Sequence, residues 1–183
     1  MEKQGKKIFM LCAIFFVLMF VLPTSVEALT QEEAVNWARQ QEGGGADVDG
    51  NGLWCTDLAT AYINFCWLRT NNDGRNPWGL YPYTTRMAYA YDNYLYGNPN
   101  WTIIDRTSST VPQAGDLFVS ETDSAGNGYG HVGVVLTAYG STDAEIIEMS
   151  GGVRPKISNI RWGSTPSYYA QHFIRFNYFA NVV

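Results

Sequence analysis

The order of the sequence patterns constrains the fold of this chain most: helical patterns come first, and extended patterns follow from Trp101 onward. The segment Thr30–Glu33 has the form of a capping box, which predicts a helix from there to about Gln41. Apolar residues at helical spacing predict a second helix, which begins at or just after Cys55 and ends near Arg69.

Six closely spaced segments then carry the β-branched and aromatic residues that favour strands. They cover residues 101–104, 117–120, 131–137, 144–149, 157–161 and 172–177. A further short helix is predicted over residues 84–94. Because the helices precede an uninterrupted run of strands, the pattern favours the α+β class, with the helices packed on an antiparallel sheet.

The chain begins with a predicted signal peptide, residues 1–28. Three lysines in the first seven residues precede an apolar run from Ile8 to Leu22, and Val26–Ala28 fits a signal peptidase site. The run is short for a membrane span, which needs about 20 residues. An uncleaved N-terminal anchor is the alternative. We therefore expect residues 29–183 to form one secreted domain, monomeric and without stable membrane association after cleavage.

The predicted mature domain is acidic. Residues 29–183 keep nine of the twelve Lys/Arg and fifteen of the seventeen Asp/Glu, which gives a formal charge of −6. This charge argues against nucleic acid or anionic lipid as a partner, because no basic patch is available to hold phosphates. The scattered aromatic residues fit a sugar- or peptide-binding groove, but we favour an ordinary aromatic core.

Cys55 is the candidate nucleophile. Cysteines of a secreted protein normally pair, and only Cys55 and Cys66 remain after cleavage. A single helix would separate them by about 16 Å, whereas a disulfide needs Cα atoms within about 7 Å. Cys55 is therefore predicted to be a free thiol at a helix start, where unpaired N–H groups and the helix dipole stabilise a thiolate. Cys66 lies mid-helix and is predicted to be a small core residue.

His131 is the candidate general base, because it opens a strand after a glycine-rich turn, whereas His172 lies in a late strand. Gly140-Ser141 predicts a two-residue hairpin loop. That register puts Ser150 opposite His131 and puts Glu148 on the same face. A carboxylate there can accept a ring N–H and stabilise the imidazolium. A solvent-facing Glu148 is the alternative, and a loop with an odd number of residues would remove it from that face.

The loop before Cys55 matches the first half of an EF-hand-type calcium loop, with oxygen ligands at its first, third and fifth positions. The glutamate expected at the twelfth position is replaced by Leu58, and the residue before it could close the site instead. The predicted ligands are Asp47, Asp49, Asn51 and Asp57. An acidic Asx-turn loop that binds no cation is the alternative. No organic cofactor is expected.

Four segments in this order resemble the CHAP family, the cysteine- and histidine-dependent amidohydrolases/peptidases of bacterial and phage cell-wall enzymes. The resemblance extends from about Gln31 to Phe176. Residues 47–50 and 55–59 are similar to the family's DGxxGxQCxDL segment, 112–117 to PxxGDI, 130–132 to GHV and 173–175 to FIR. The resemblance implies a papain-like CHAP fold.

The resemblance implies that Cys55 is the nucleophile, that His131 is the base and that Glu148 orients His131. Some members of the family bind calcium in the loop before the cysteine. The resemblance also implies a wall-associated enzyme that cuts amide bonds of bacterial peptidoglycan, as an endopeptidase or an N-acetylmuramoyl-L-alanine amidase. Two residues depart from the pattern: Trp54 stands where the family usually has Gln, and Ser150 stands in place of an auxiliary Asn. A non-catalytic wall-binding or interaction module that keeps the fold is the alternative, and a thiol enzyme acting on other amides is a third possibility.

Overall fold

The structure, a computed structural model, describes residues 29–45, 47, 52–70, 101–120 and 130–177. Helices α1 and α2 precede a six-stranded sheet and a short 3-10 helix between the last two strands. Their bounds are α1 Gln31–Arg39, α2 Cys55–Thr70, β1 Trp101–Asp105, β2 Leu117–Ser120, β3 His131–Ala138, β4 Asp143–Glu148, β5 Lys156–Arg161, the 3-10 helix Pro166–Tyr168 and β6 Ala170–Phe176. The predicted helices and strands within these ranges are present, with ends that differ by at most two residues.

Two sequence predictions fall outside the described residues: the signal peptide of residues 1–28 and the short helix over 84–94. In the part of the chain that is described, no helix is both long and apolar enough to cross a bilayer.

The six strands form one sheet in the order β1-β6-β2-β3-β4-β5, and every neighbouring pair is antiparallel. Both helices contact β3, which lies near the middle of the sheet and is buried along most of its length. A strand covered on both faces is expected to be almost continuously apolar, as β3 is. The α+β prediction, with helices packed on an antiparallel sheet, is confirmed.

The core has two parts, one on each face of the sheet. Apolar residues of α1 and α2 pack against one face; they include Ala34, Leu58, Tyr62, Val132, Val134 and Ile147. A second cluster on the opposite face includes Phe118, Val135, Ile146, Trp162 and Phe173. Cys66 belongs to the helix side, and burial raises its pKa to about 12 although a hydrogen bond with Tyr62 opposes the shift. Cys66 is therefore a core residue, as predicted.

Helix α1 begins at the predicted capping box. Thr30 Oγ1 accepts a bond from the Glu33 N–H at 3.1 Å, and the Glu33 carboxylate accepts the Thr30 N–H at 2.9 Å. At the other end of the helix, the Arg39 guanidinium bonds to Glu145 and Thr137 on the β3–β4 hairpin. These contacts attach α1 to the hairpin that carries His131.

The β3–β4 hairpin has the predicted register near its open end, although its turn is longer than predicted and β3 contains a bulge. The turn holds three residues, 140–142, because the Tyr139 N–H bonds to the Asp143 carbonyl at 2.9 Å. The predicted two-residue loop is therefore wrong. A bulge at Leu136 in β3 shifts the pairing back by one residue. Because the two shifts cancel, Gly133 pairs with Glu148 as a two-residue loop would require.

Candidate active site

Cys55 is the first residue of α2, and its side chain is half-buried. Cys55 and Cys66 are both thiols and do not form a disulfide, as the helix geometry predicts. The backbone at the helix start is held by Asp57, whose buried carboxylate accepts the Trp54 N–H at 2.8 Å. An acidic group in the first turn also interacts favourably with the helix dipole. The start of α2 is thereby fixed around the thiol.

The structure brings Cys55, His131 and Glu148 together, although they lie on three different elements. His131 is the first residue of β3, and its Nε2 lies 2.6 Å from Oε2 of Glu148. The Cys55 thiol is near enough to the His131 ring to raise the pKa of that ring. Because Nε2 faces the carboxylate, Nδ1 is the ring nitrogen left to accept the proton of Cys55.

The buried His131 ring and Glu148 carboxylate each favour the charged form of the other. Burial lowers the pKa of His131, but hydrogen bonds with Cys55 and Glu148 outweigh it and raise that pKa to about 9. Burial likewise raises the pKa of Glu148, but the bonds from His131 and Tyr168 outweigh this, so the pKa lies below its ordinary value. Glu148 is therefore ionised at neutral pH, and the imidazolium is the favoured form of His131.

Glu148 has a second partner that the sequence analysis did not find. The Tyr168 hydroxyl donates to Oε1 of Glu148 at 2.7 Å, and the Lys156 ammonium lies 3.8 Å from the same oxygen. Ser150, the predicted auxiliary residue, is exposed, and its carbonyl accepts the Val153 N–H in a turn. The hydroxyl that reaches Glu148 is that of Tyr168, while a role for Ser150 remains a prediction.

Gly133 makes room for the aromatic wall beside the imidazole. It stands directly opposite Glu148, and a Cβ built on it would lie 2.7 Å from the Phe118 ring and 2.7 Å from the Ile147 carbonyl oxygen. The Phe118 ring centroid lies 5.7 Å from that of His131. The absence of a side chain at Gly133 therefore lets Phe118 pack against the imidazole.

The segment before Cys55 lies against the turn that follows Glu148. The Gly152 N–H donates to the Leu53 carbonyl at 2.8 Å. The indole of Trp54 covers Gly151, where an added Cβ would lie 3.1 Å from its Cζ3, and 52% of Trp54 remains exposed. The strand that ends at Glu148 and the helix that begins at Cys55 are thus joined outside the triad as well.

The predicted calcium ligands are only partly covered by the structure. Asp47 is exposed, and its carboxylate accepts the Gly52 N–H at 3.3 Å across the loop. Asp49 and Asn51 lie outside the described residues. The bond from Trp54 gives Asp57 a capping role that needs no cation. Among the described residues no three acidic, His or Cys side chains are grouped as metal ligands, so calcium binding remains a prediction.

His172 lies on β6, which is separated from the strand of His131 by β2. Its Nδ1 lies 2.9 Å from Oδ1 of Asp105, and it pairs with Asp105 on β1 and Val119 on β2. The preference for His131 over His172 therefore agrees with the geometry.

The comparisons with known proteins agree with this fold. A family model for the CHAP domain matches residues 46–150, more than half of the sequence. The chain therefore belongs to the CHAP domain family, and the prediction of a papain-like CHAP fold is confirmed. No curated protein matches the chain.

Solved structures with the same fold include Ly7917 with the hydrolyzing product of MDP and a wild-type endolysin, LysIME-EF1. The first is 22% identical with a TM-score of 0.57, and the match covers 81% of this chain and 63% of Ly7917. The second is 21% identical with a TM-score of 0.59, and the match covers 83% of this chain and 66% of the endolysin. This chain thus spans less than two thirds of the length of either protein.

Proposed function

We propose that this protein is a secreted peptidoglycan hydrolase that cleaves amide bonds of the wall peptide, as an endopeptidase or an N-acetylmuramoyl-L-alanine amidase. The observation that carries the proposal is that Cys55, at the start of a helix, lies beside the hydrogen-bonded pair of His131 and Glu148. Membership in the CHAP domain family supports it, as does the likeness of the fold to that of an endolysin.

In the first half of the reaction, Nδ1 of His131 already holds the proton taken from Cys55, in keeping with the favoured imidazolium. The free electron pair on Sγ of Cys55 forms a bond to the carbonyl carbon of the scissile amide. The carbonyl electron pair moves onto its oxygen, which backbone N–H groups in the first turn of α2 can stabilise. The C–N bond then breaks, and its electron pair takes the proton from His131. An amine leaves, and a thioester to Cys55 remains.

In the second half, water gives a proton to His131 and attacks the thioester carbon. The C–S bond breaks, its electron pair stays on the sulfur beside the protonated His131, and the carboxylic acid product leaves. Glu148 keeps the ring oriented in both halves and stabilises the imidazolium. A pKa of about 9, to which the bonds with Cys55 and Glu148 raise His131 against the effect of burial, lets the ring hold the proton until the leaving group needs it.

We also propose that a calcium ion clamps the loop before Cys55, with Asp47, Asp49, Asn51 and Asp57 as oxygen ligands. The spacing of these residues supports this. The ion would order the segment that leads into the nucleophile and would take no part in the chemistry. We expect the domain to act as a monomer on peptidoglycan.

The test is lysis of purified cell walls by Cys55→Ala and His131→Ala, with Cys66→Ala as the matched control that removes the other thiol. We expect both site variants to lose lysis while the control, if folded, retains it. Wild-type lysis by either Cys55→Ala or His131→Ala would contradict the proposal. Slow alkylation of Cys55 near neutral pH, compared with a cysteine peptide, would favour a non-catalytic wall-binding module. Mass analysis of the released fragments identifies the bond that is cut.

A further inference from the structure

Building on the proposed function, we propose that Tyr168 is a positioning residue: its hydroxyl holds the Glu148 carboxylate in the orientation that engages His131. The family resemblance expects an auxiliary polar residue two positions after Glu148, but Ser150 at that position is exposed. The tyrosine comes from a different part of the chain, twenty residues after Glu148.

Both carboxylate oxygens of Glu148 accept hydrogen bonds from the protein. Oε2 lies 2.6 Å from Nε2 of His131, and Oε1 accepts the Tyr168 hydroxyl at 2.7 Å. The Glu148 side chain is only 5% exposed, so its oxygens depend on protein partners rather than on bulk water. Lys156 is farther away, at 3.8 Å, and its side chain is 56% exposed. Tyr168 is therefore the neighbour that restrains Oε1 with a bond of ordinary length.

Tyr168 itself is held in place by backbone hydrogen bonds. Its N–H donates to the Thr165 carbonyl at 3.0 Å, and its carbonyl accepts the Gly163 N–H at 2.8 Å. The preceding residue, Ser167, is buried, and its carbonyl accepts the Ser120 hydroxyl at 2.6 Å.

Ser120 is also the direct partner of His131 across the β2–β3 pair. A closed ring of contacts therefore includes the active-site imidazole: His131 pairs with Ser120, and Ser120 bonds to Ser167. The next residue, Tyr168, bonds to Glu148, which bonds to His131. This ring of contacts fixes the Tyr168 hydroxyl relative to the strand that carries the imidazole. A carboxylate held at both oxygens has lost the rotation that a singly bonded one keeps.

The groups around Glu148 favour its ionised form. The titratable groups that face Glu148 are His131 on β3, Tyr168 in the 3-10 helix and Lys156 on β5. Burial raises the pKa of Glu148, whereas the bonds from His131 and Tyr168 and the charge of Lys156 lower it. Burial and the neighbouring carboxylate raise the pKa of Tyr168 above its ordinary value, so the phenol remains a donor. Without that hydroxyl, Glu148 would protonate at a higher pH.

The test is Tyr168→Phe, which removes the hydroxyl and keeps the ring. Initial lysis rates at several concentrations of purified walls give an apparent kcat and KM, measured across pH. We expect kcat to fall about tenfold, as for loss of a hydrogen bond to a charged group, with KM little changed. The acid limb of the profile is expected to move to higher pH. Tyr169→Phe is the matched control, because Tyr169 is the next residue and is 56% exposed.

A second measurement needs no substrate. The rate at which iodoacetamide alkylates Cys55, followed by mass spectrometry across pH, is expected to show the same displaced acid limb in Tyr168→Phe and not in Tyr169→Phe. Melting temperatures establish that both variants are folded.

The outcomes separate this inference from the proposed function. Loss of lysis in Cys55→Ala together with wild-type kcat and acid limb in Tyr168→Phe would overturn the role of Tyr168 and leave the proposed function standing. An equal loss in Tyr169→Phe, or a loss confined to KM, would also overturn it. If Cys55→Ala lyses walls like the wild type, the proposed function fails, and the alkylation profile still decides for or against Tyr168.

Discussion

Replacing Gly133 with alanine tests how tightly the triad is packed. Gly133 lies in β3 opposite Glu148, and its backbone is not in the left-handed region. Any effect of the added methyl group is therefore a matter of space. A Cβ there would lie 2.7 Å from the Phe118 ring and 2.7 Å from the Ile147 carbonyl oxygen, whereas carbon atoms in contact are normally about 3.5–4.0 Å apart.

Neither neighbour can move away easily. The Ile147 oxygen belongs to the backbone of β4, whose pairing with β3 sets the position of Glu148. The Phe118 ring packs edge-on against Trp162, with centroids 5.4 Å apart, and lies 5.7 Å from the His131 ring. Overpacking of this kind costs about 1–3 kcal/mol in the free energy of unfolding. For a domain of this size each kcal/mol lowers the melting temperature by about 2–4 °C.

The assay is thermal unfolding of Gly133→Ala beside Gly45→Ala, with wall lysis measured on both. A Cβ at Gly45 would lie 3.7 Å from Leu53, an ordinary contact, so this control should be neutral or slightly stabilised. We expect Gly133→Ala to melt at a lower temperature and to lose activity, because the displaced Phe118 ring presses on His131. Wild-type stability and activity in Gly133→Ala would refute the packing argument.

Three other predictions follow from the charges at the site and from the loop before Cys55. Glu148→Gln keeps the size of the side chain but removes its charge, so the pKa of His131 should fall and the lysis rate should drop by on the order of a hundredfold; an unchanged pH profile would contradict this. Burial lowers the pKa of His131, but bonds with Cys55 and Glu148 raise it from 6.5 to about 9. The contribution of His131 to the free energy of unfolding is therefore fully present below about pH 6.5 and is lost as the pH rises through about 9. Denaturant unfolding should therefore show the stability gap between wild type and His131→Ala narrowing over that range. Added calcium should raise the melting temperature relative to a chelator, and Asp47→Asn should reduce the rise; equal melting temperatures would count against the metal.

The helices, the strands and the candidate pair of Cys55 and His131 could be predicted from the sequence because their signals are local. A capping box, the helical spacing of apolar residues and the residue pattern of a strand each involve residues that are close together in the sequence. Glu148 could be chosen only because a hairpin has a short, countable loop. The predicted loop was one residue too short, and the bulge at Leu136 restored the register that the wrong loop had implied.

Other contacts depend on the path of the backbone between distant segments. Tyr168 has no local signal, since its hydroxyl meets Glu148 only after β5 and the 3-10 helix have turned back over the sheet. The reason for a glycine at position 133 likewise appears only when Phe118 of the neighbouring strand fills the space.

The sequence by itself therefore determined the order of helices and strands, the thiol at a helix start and the imidazole at a strand start. These features arise from capping, periodicity and burial, which each segment carries within itself. The tertiary structure alone decided which groups restrain the Glu148 carboxylate and how closely the His131 ring is packed. A hydrogen bond between residues far apart in sequence requires their backbones to be brought within a few ångströms, and only the folded chain does this.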